Sequence, residues 1–295
     1  MKSKALLAMI PAALLAIACG KTPSDPTPVE PQKPQETTKI PINISTAVTK
    51  VTDTAFETGD AVGLFVVNQP SSLKQSGNHA DNVKFTYDGS KWSAQSQLYW
   101  ADDTTPADFY VYYPYSSSAT VNAYAFSVQQ DQSTEAGYKA SEFLVGSKKD
   151  VSPTPDPVVI NTKHVMSCLM IELKTGTGWT DADISSASVT VTGLQTAATV
   201  NLADGSVSAN GSVADIKPLS MGSGVHKALV VPQSVSDANL IKVTISGNDY
   251  FLKTSLDLTS GKQHKCTLVI NRTGEGINIG IDDWETGDEI SGTLE

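Results

Sequence analysis

The chain has 295 residues, which at roughly 150 residues per domain suggests two domains. Hydrophobic residues make up 40% and charged residues 18%, enough apolar surface for real cores, so wholesale disorder is excluded. Lys and Arg total 21 against 31 Asp and Glu, a net charge of −10 that argues against nucleic acid and anionic lipid surfaces as partners.

At the N-terminus, Lys2 and Lys4 form a short basic region and Ala5 to Ile17 is almost wholly apolar. The run is too short to span a bilayer comfortably and reads as a secretory signal over residues 1–18. It ends in Leu15-Ala16-Ile17-Ala18-Cys19-Gly20, which resembles the lipobox of bacterial lipoproteins, although Ala16 stands where Leu is commonest. That resemblance implies acylation of Cys19 and an outer-membrane lipid partner. Each buried methylene of an acyl chain contributes about 0.8 kcal/mol, so a multiply acylated Cys19 is a stable anchor. Thr22 to Thr38 carries Pro23, Pro26, Pro28, Pro31 and Pro34. Such a segment cannot bury a core, and at ~3.1 Å per residue a stem over residues 19–38 reaches about 60 Å.

From Lys39 onward the pattern is of strands. Ile40, Ile42 and Ile44 alternate with polar or turn residues, as do Val189-Thr190-Val191-Thr192 and Ile241-Lys242-Val243-Thr244-Ile245. Turn signals fall between the runs, at Asp88-Gly89, Asp204-Gly205, Asn210-Gly211, Ser246-Gly247-Asn248 and Ser260-Gly261. No segment after residue 39 holds a long helical period. An all-β fold of sandwiches follows. The cluster Pro153, Pro155 and Pro157 places a domain boundary near the middle. This predicts an N-terminal sandwich over 39–155, a C-terminal sandwich over 156–274 and a tail over 275–295.

The sequence carries no recognised catalytic pattern. His-Glu-x-x-His, Gly-x-Ser-x-Gly and the phosphate loop are all missing. Gly274, Gly276 and Gly280 have the wrong spacing for a dinucleotide loop. Asp102-Asp103 and Asp282-Asp283 are neighbours, and neighbours on a strand face opposite ways, so they read as solvated turns. His79, His164, His226 and His264 have no ligand spacing, and His164 reads as a packed residue. No enzyme, cofactor or metal is expected. Cys168 and Cys266 are either a disulfide, which an exported protein permits, or two buried thiols. The aromatics of Phe109, Tyr110, Tyr112, Tyr113 and Tyr115, with Trp92 and Trp100, form either a core strand or a glycan platform. Alternation puts Phe109, Val111 and Tyr113 on one face and Tyr110 and Tyr112 on the other.

An ordered set of short motifs resembles the fimbrillin family of Bacteroidales, the subunits of type V pili. The set runs Phe56-Glu57-Thr58-Gly59-Asp60, Val62-Gly63-Leu64-Phe65, Phe85-Thr86-Tyr87-Asp88-Gly89 with Trp92, and Leu98-Tyr99-Trp100. It continues with Asp108-Phe109-Tyr110, Tyr113-Pro114-Tyr115, Ser141-Glu142-Phe143-Leu144, His164-Val165-Met166-Ser167 and Ile281-Asp282-Asp283-Trp284. The resemblance covers nearly all of the chain after the signal. It implies two tandem transthyretin-like β-sandwiches, passage to the cell surface as a lipoprotein, and proteolytic loss of the lipidated first strand. The groove so opened accepts the C-terminal strand of another subunit. The partners implied are other pilus subunits and a host or bacterial surface receptor, and the implied roles are attachment and biofilm formation.

The spacing is compatible with such an exchange. Ile40, Ile42 and Ile44 form the candidate displaced strand, and Ile277, Ile279 and Ile281 repeat the period in the candidate donor strand. Familiar fimbrillins are cut by an Arg-specific protease, yet the one arginine here is Arg272, just before the tail. The basic residues flanking the first strand are Lys39 and Lys50, so maturation is expected after lysine, with Lys50 the cut that releases the whole strand. Asp53-Thr54-Ala55 and Asp103-Thr104-Thr105 also resemble a short O-glycosylation pattern of this phylum. The second class of function considered is a surface glycan-binding lipoprotein, which needs an exposed aromatic platform and no removable strand.

Overall fold

The computed structural model describes residues 39–48, 56–272 and 279–280. The body begins at Lys39. The first half of the body holds β1 (Ile44–Val48), β2 (Ala61–Asn68), β3 (Ala80–Tyr87), β4 (Trp92–Ala94), β5 (Ala107–Tyr113), β6 (Tyr124–Ser127), α1 (Glu135–Lys139), β7 (Leu144–Val151) and β8 (Val158–His164). The second holds β9 (Ser167–Thr175), α2 (Asp181–Ser186), β10 (Ser188–Val200), β11 (Val207–Ile216), β12 (Leu219–Gly222), β13 (Val225–Val230), β14 (Gln233–Ile245), β15 (Asn248–Leu258), β16 (Gln263–Ile270) and β17 (Ile279–Gly280). The fold is all-β, and among the described residues the two helices are short, of five and six residues.

The first sheet has seven strands in the order β1-β8-β7-β5-β2-β3-β4. It is antiparallel apart from β1 and β8, which run parallel. Both faces of its central strands are covered. Val62, Leu64, Val66, Phe109, Val111 and Tyr113 belong to one core, and Phe65, Val67, Tyr110 and Tyr112 to another. This is why β2 and β5 read as near-continuous apolar runs rather than alternating ones. Gly63 stands opposite Tyr112, and a Cβ there would fall on the tyrosine ring, so only glycine fits. The alternation expected in β5 is present, but its polar face is absent: Phe109, Tyr110, Val111, Tyr112 and Tyr113 are all buried.

The second half forms two further five-stranded sheets, β11-β10-β14-β15 with β6 joined to β10, and β12-β13-β9-β16-β17. Val189, Val191, Ile241, Val243 and Leu252 from one share a core with Leu169, Ile171, Leu173, Leu268 and Ile270 from the other. The period-two runs of β10 and β14 bury their Val and Ile positions as the alternation predicts. The turn joining β14 to β15 takes positive φ at both Ser246 and Gly247, the twist a two-residue hairpin demands.

The Pro153–Pro157 segment does not end the first sheet. β8 follows it and still pairs with β1 and β7. Its inward residues Val158 and Ile160 complete the first core, so the first sheet runs to His164, beyond the boundary placed at 155. β6 crosses the other way and pairs with β10, from Ala197↔Ser127 to Val200↔Tyr124. The proline run is a loop within a sheet, and composition alone cannot tell such a loop from a linker.

The two cysteines form no disulfide. β9 and β16 are parallel neighbours, with Cys168 opposite Gln263 and Cys266 opposite Ile171. An offset of three residues puts their side chains on opposite faces of the sheet, so the disulfide alternative is corrected to two buried thiols. Burial pushes the Cys266 thiol up to about 12. A purified chain of residues 20–295 should therefore react with an aromatic disulfide reagent at pH 8 only after denaturant is added, at two thiols per chain. Rapid labelling of the native protein would show that the sheet opens at β16.

Candidate functional site

The first strand does more than extend an edge. Its chain enters antiparallel to the segment after β4, with Trp100 N–H donating to Ile40 O at 2.9 Å and Ile42 N–H donating to Leu98 O at 2.8 Å. Gln97 Nε2 adds a bond of 3.0 Å to Ile42 O. Two residues later the chain has crossed to β8, where Val158 N–H donates to Asn43 O at 2.9 Å and a parallel register runs from Ile44↔Val158 to Val48↔Thr162. Residues 40–48 thus pair with an edge on either side and close the first sheet around its core.

The strand's inward residues seal that core. Ile42 is 1% exposed and Ile44 5%, and Ile40 is half-buried at the rim. All three belong to the cluster built on Val62, Leu64, Phe109, Val158 and Ile160. Trp100 walls the seat, its ring 5.4 Å from Phe109 and its Nε1 donating to Thr154 O at 3.1 Å. Burial of Ile42 and Ile44 contributes roughly 1.5–3 kcal/mol each. Next on the same row is Thr46, whose Oγ1 is buried without a hydrogen-bond partner.

Beyond the strand the chain is fastened again at Phe56. Its ring lies edge-on to Trp92 at 4.9 Å and to Tyr113 at 5.7 Å. Lys139 of α1 reaches Glu57 at 2.6 Å and Asp60 at 3.0 Å. Burial works against the lysine's charge, but the two carboxylates outweigh it and raise its pKa. α1 is itself pinned, since Thr134 accepts from Gly137 N–H and Tyr138 packs with Cys168 and Leu229 of the second half.

The other candidate residues are placed as follows. Lys39 is exposed, with Nζ 5.8 Å from the Tyr99 ring centre. Lys50, Cys19, Ile277, Ile281, Asp282 and Asp283 lie outside the described residues. The Ile279 backbone pairs with Ile270 at the end of β16. Arg272 N–H donates to Thr177 O at 2.7 Å and its guanidinium lies 5.2 Å from the Trp179 ring. Asp102 caps its own turn, with Thr105 and Thr104 donating to it and holding its carboxyl well below the usual range. That turns the Thr104 and Thr105 hydroxyls inward onto Asp102 rather than leaving them unengaged. Among the described residues no group of His, Cys, Asp and Glu is placed to hold a metal. Trp92 and Trp100 are buried with the Phe109–Tyr113 run, so this cluster is core and not a platform.

His164 does pack, but as half of a buried pair. Its Nδ1 lies 2.9 Å from Glu142 Oε1, and both side chains are almost fully covered. The bond to Glu142 raises the imidazole pKa against the opposing effect of burial. A histidine held charged in this way adds stability that is fully present below its unfolded value of about 6.5 and is lost as pH climbs through the raised folded value. His164→Gln should therefore lower the urea midpoint clearly at pH 6 and much less at pH 9. Equal losses at both pH values would show that the pair is neutral.

Sequence reading found the strand but not its seat. Leu98-Tyr99-Trp100 and the β8 residues 158–162 gave no sign that they flank one strand from opposite sides, because that adjacency joins segments far apart in the chain. The alternation of Leu98 and Trp100 about exposed Tyr99 was the available signal.

A sheet closed by its own first strand, with two further sheets in the second half of the chain, defines a two-part all-β protein. The chain belongs to the fimbrillin-like family, whose sequence profile matches residues 49–284. It is 25% identical over 303 aligned positions to a Bacteroides uniformis protein described as fimbrium subunit Fim1C, covering 97% of each chain. Two solved structures described as cell adhesion proteins share the fold. One, from Bacteroides uniformis, has a TM-score of 0.66 at 23% identity over 84% of this chain and 99% of that one. The other, from Bacteroides ovatus, has a TM-score of 0.67 at 17% identity over 85% and 100%.

Proposed function

We propose that the chain is a structural subunit of a cell-surface fimbrium, exported as an outer-membrane lipoprotein acylated on Cys19 and assembled by strand exchange. In this reading the chain comprises two tandem transthyretin-like sandwiches. A trypsin-like or lysine-tolerant protease cuts after Lys50, with Lys39 the secondary position. The first strand, carrying Ile40, Ile42 and Ile44, then leaves with the lipid. The tail of another subunit, carrying Ile277, Ile279 and Ile281, takes its place. The fimbrium serves adhesion and biofilm formation.

One observation carries the reading. Residues 40–48 pair with an edge on each side while their isoleucines seal the core. Removing such a strand uncovers two lines of main-chain donors and acceptors and an apolar slot between them. An open edge of this kind templates the addition of a strand, and only a strand with apolar residues at period two restores the slot. The family membership and the fimbrium description of the relative support the same role.

The test uses purified residues 20–295, nicked with limiting trypsin and run unboiled on a denaturing gel. The expected result is a ladder of multimers that disappears when Asp replaces Ile277, Ile279 and Ile281. Monomer in every lane would overturn strand exchange. Lys50→Gln, followed by blotting for the mature size in cells, tests the cut, and unchanged processing would eliminate that position.

A further inference from the structure

We propose that the seat of the first strand selects where a trypsin-like protease cuts: it shields the bond between Lys39 and Ile40, whose cleavage is a dead end for assembly. This rests on the strand-exchange reading and separates the two lysines that reading names. A cut after Lys39 detaches the body from the stem but leaves residues 40–48 where they are. Ile40, Ile42 and Ile44 stay in their cluster and both edges stay paired, so no groove opens. A subunit released in this way accepts no donor strand. Lys39 nonetheless offers an exposed side chain of the chemistry such a protease recognises.

The shield lies in the main chain. A serine-type protease holds its substrate as an extended strand, with backbone groups around the scissile bond paired to the enzyme. On the C-terminal side of Lys39 those groups are already taken. Ile40 O accepts from Trp100 N–H at 2.9 Å, Pro41 bridges to Tyr99, and Ile42 N–H donates to Leu98 O at 2.8 Å. Asn43 O accepts from Val158 N–H at 2.9 Å. Gln97 adds a side-chain clasp, its Nε2 donating to Ile42 O at 3.0 Å and to Leu98 O at 2.8 Å, so that it joins the strand to the segment it pairs with. The lysine itself lies against the seat, with Nζ 5.8 Å from the Tyr99 ring centre. To enter a protease cleft, residues 40–43 have to leave the seat and draw Ile42, 1% exposed, out of the core. Cleavage after Lys39 therefore proceeds from the lifted strand, at a rate set by how often the strand lifts.

The test uses residues 20–295 carrying Lys50→Gln, so that no cut there frees the strand first, with limiting trypsin and mass spectrometry of the fragments. The rate of cutting after Lys39 is compared with that in a free peptide of residues 35–46. The folded chain should be cut there roughly a hundredfold or more slowly. Gln97→Ala should speed the cut a few-fold, the usual worth of one hydrogen bond, and Ile42→Asp should bring it close to the rate of the peptide. The amides joining β2 to β5 should keep their protection in both variants. Equal rates in the folded chain and the peptide, or no change in either variant, would overturn the shield. So would opening of β2 and β5 in step with the cut, since the whole body rather than the seat would then protect Lys39. A chain that begins at Ile40, left without trypsin, should run as monomer, and a ladder from it would overturn the dead end. No ladder from the nicked chain with Lys50 intact would instead sink strand exchange and the dead end with it, while the rates still decide the shield by themselves.

Discussion

Ile42→Asp is expected to unseat the first strand while the rest of the body stays folded. Ile42 is 1% exposed and sits in the core of the first sheet. An unpaired carboxylate there costs several kcal/mol. The chain's least costly response is to let residues 39–48 go, because the losses are confined to Ile40, Ile42, Ile44 and their backbone bonds, while Phe56 and the Lys139 ion pairs hold the chain beyond. The measurement is native-state hydrogen exchange. The amides of Ile42, Trp100 and Val158 all bond to or from the first strand and should lose protection by roughly a hundredfold or more, at about 1.4 kcal/mol per tenfold. The amides that join β2 to β5 should keep theirs. If both sets open together, the first strand is no separable unit, and a cut subunit would have no folded groove to offer.

Phe143→Ala is expected to cost the whole body about 3–5 kcal/mol, the usual loss for a fully buried phenylalanine. Phe143 is 0% exposed and its ring lies 6.3 Å from Tyr112, 5.0 Å from Tyr124 and 4.9 Å from Phe126. Tyr112 belongs to β5, and the other two to β6, which pairs with β10 of the second half. The ring cluster therefore ties the first sheet to the second half, and its loss should weaken both. A urea titration of the variant should show the midpoint falling without a second transition. Phe143→Leu should recover part of the loss by refilling the cavity. A cost below about 1 kcal/mol would mean the cluster is not packed as core.

How much of this was legible beforehand differs from element to element. The strands of the second half were plain, because Val189-Thr190-Val191-Thr192 and the run from Ile241 to Ile245 each have one covered face and a period of two. β2 and β5 were legible as strands but not as strands buried twice. Alternation reports a contrast between faces, and a strand with two apolar faces has none. The Pro153–Pro157 run misplaced the boundary for a related reason. Proline forbids ladder bonds at its own positions but says nothing about where the next strand pairs. His164 was rightly read as packed, yet its partner Glu142 lies 22 positions away in sequence and no local pattern links them.

What the residues alone determined was the all-β class and the isoleucine row of the first strand. These follow from composition, short-range period and chain order, which act along the chain. What only the tertiary structure decided was that the row closes a sheet between residues 98–100 and β8, that Thr46 lies in that row with an unpartnered hydroxyl, and that Cys168 and Cys266 face opposite ways. Each depends on the register between distant strands. Register is set by the summed packing of many side chains across the sheet and is written in no single segment.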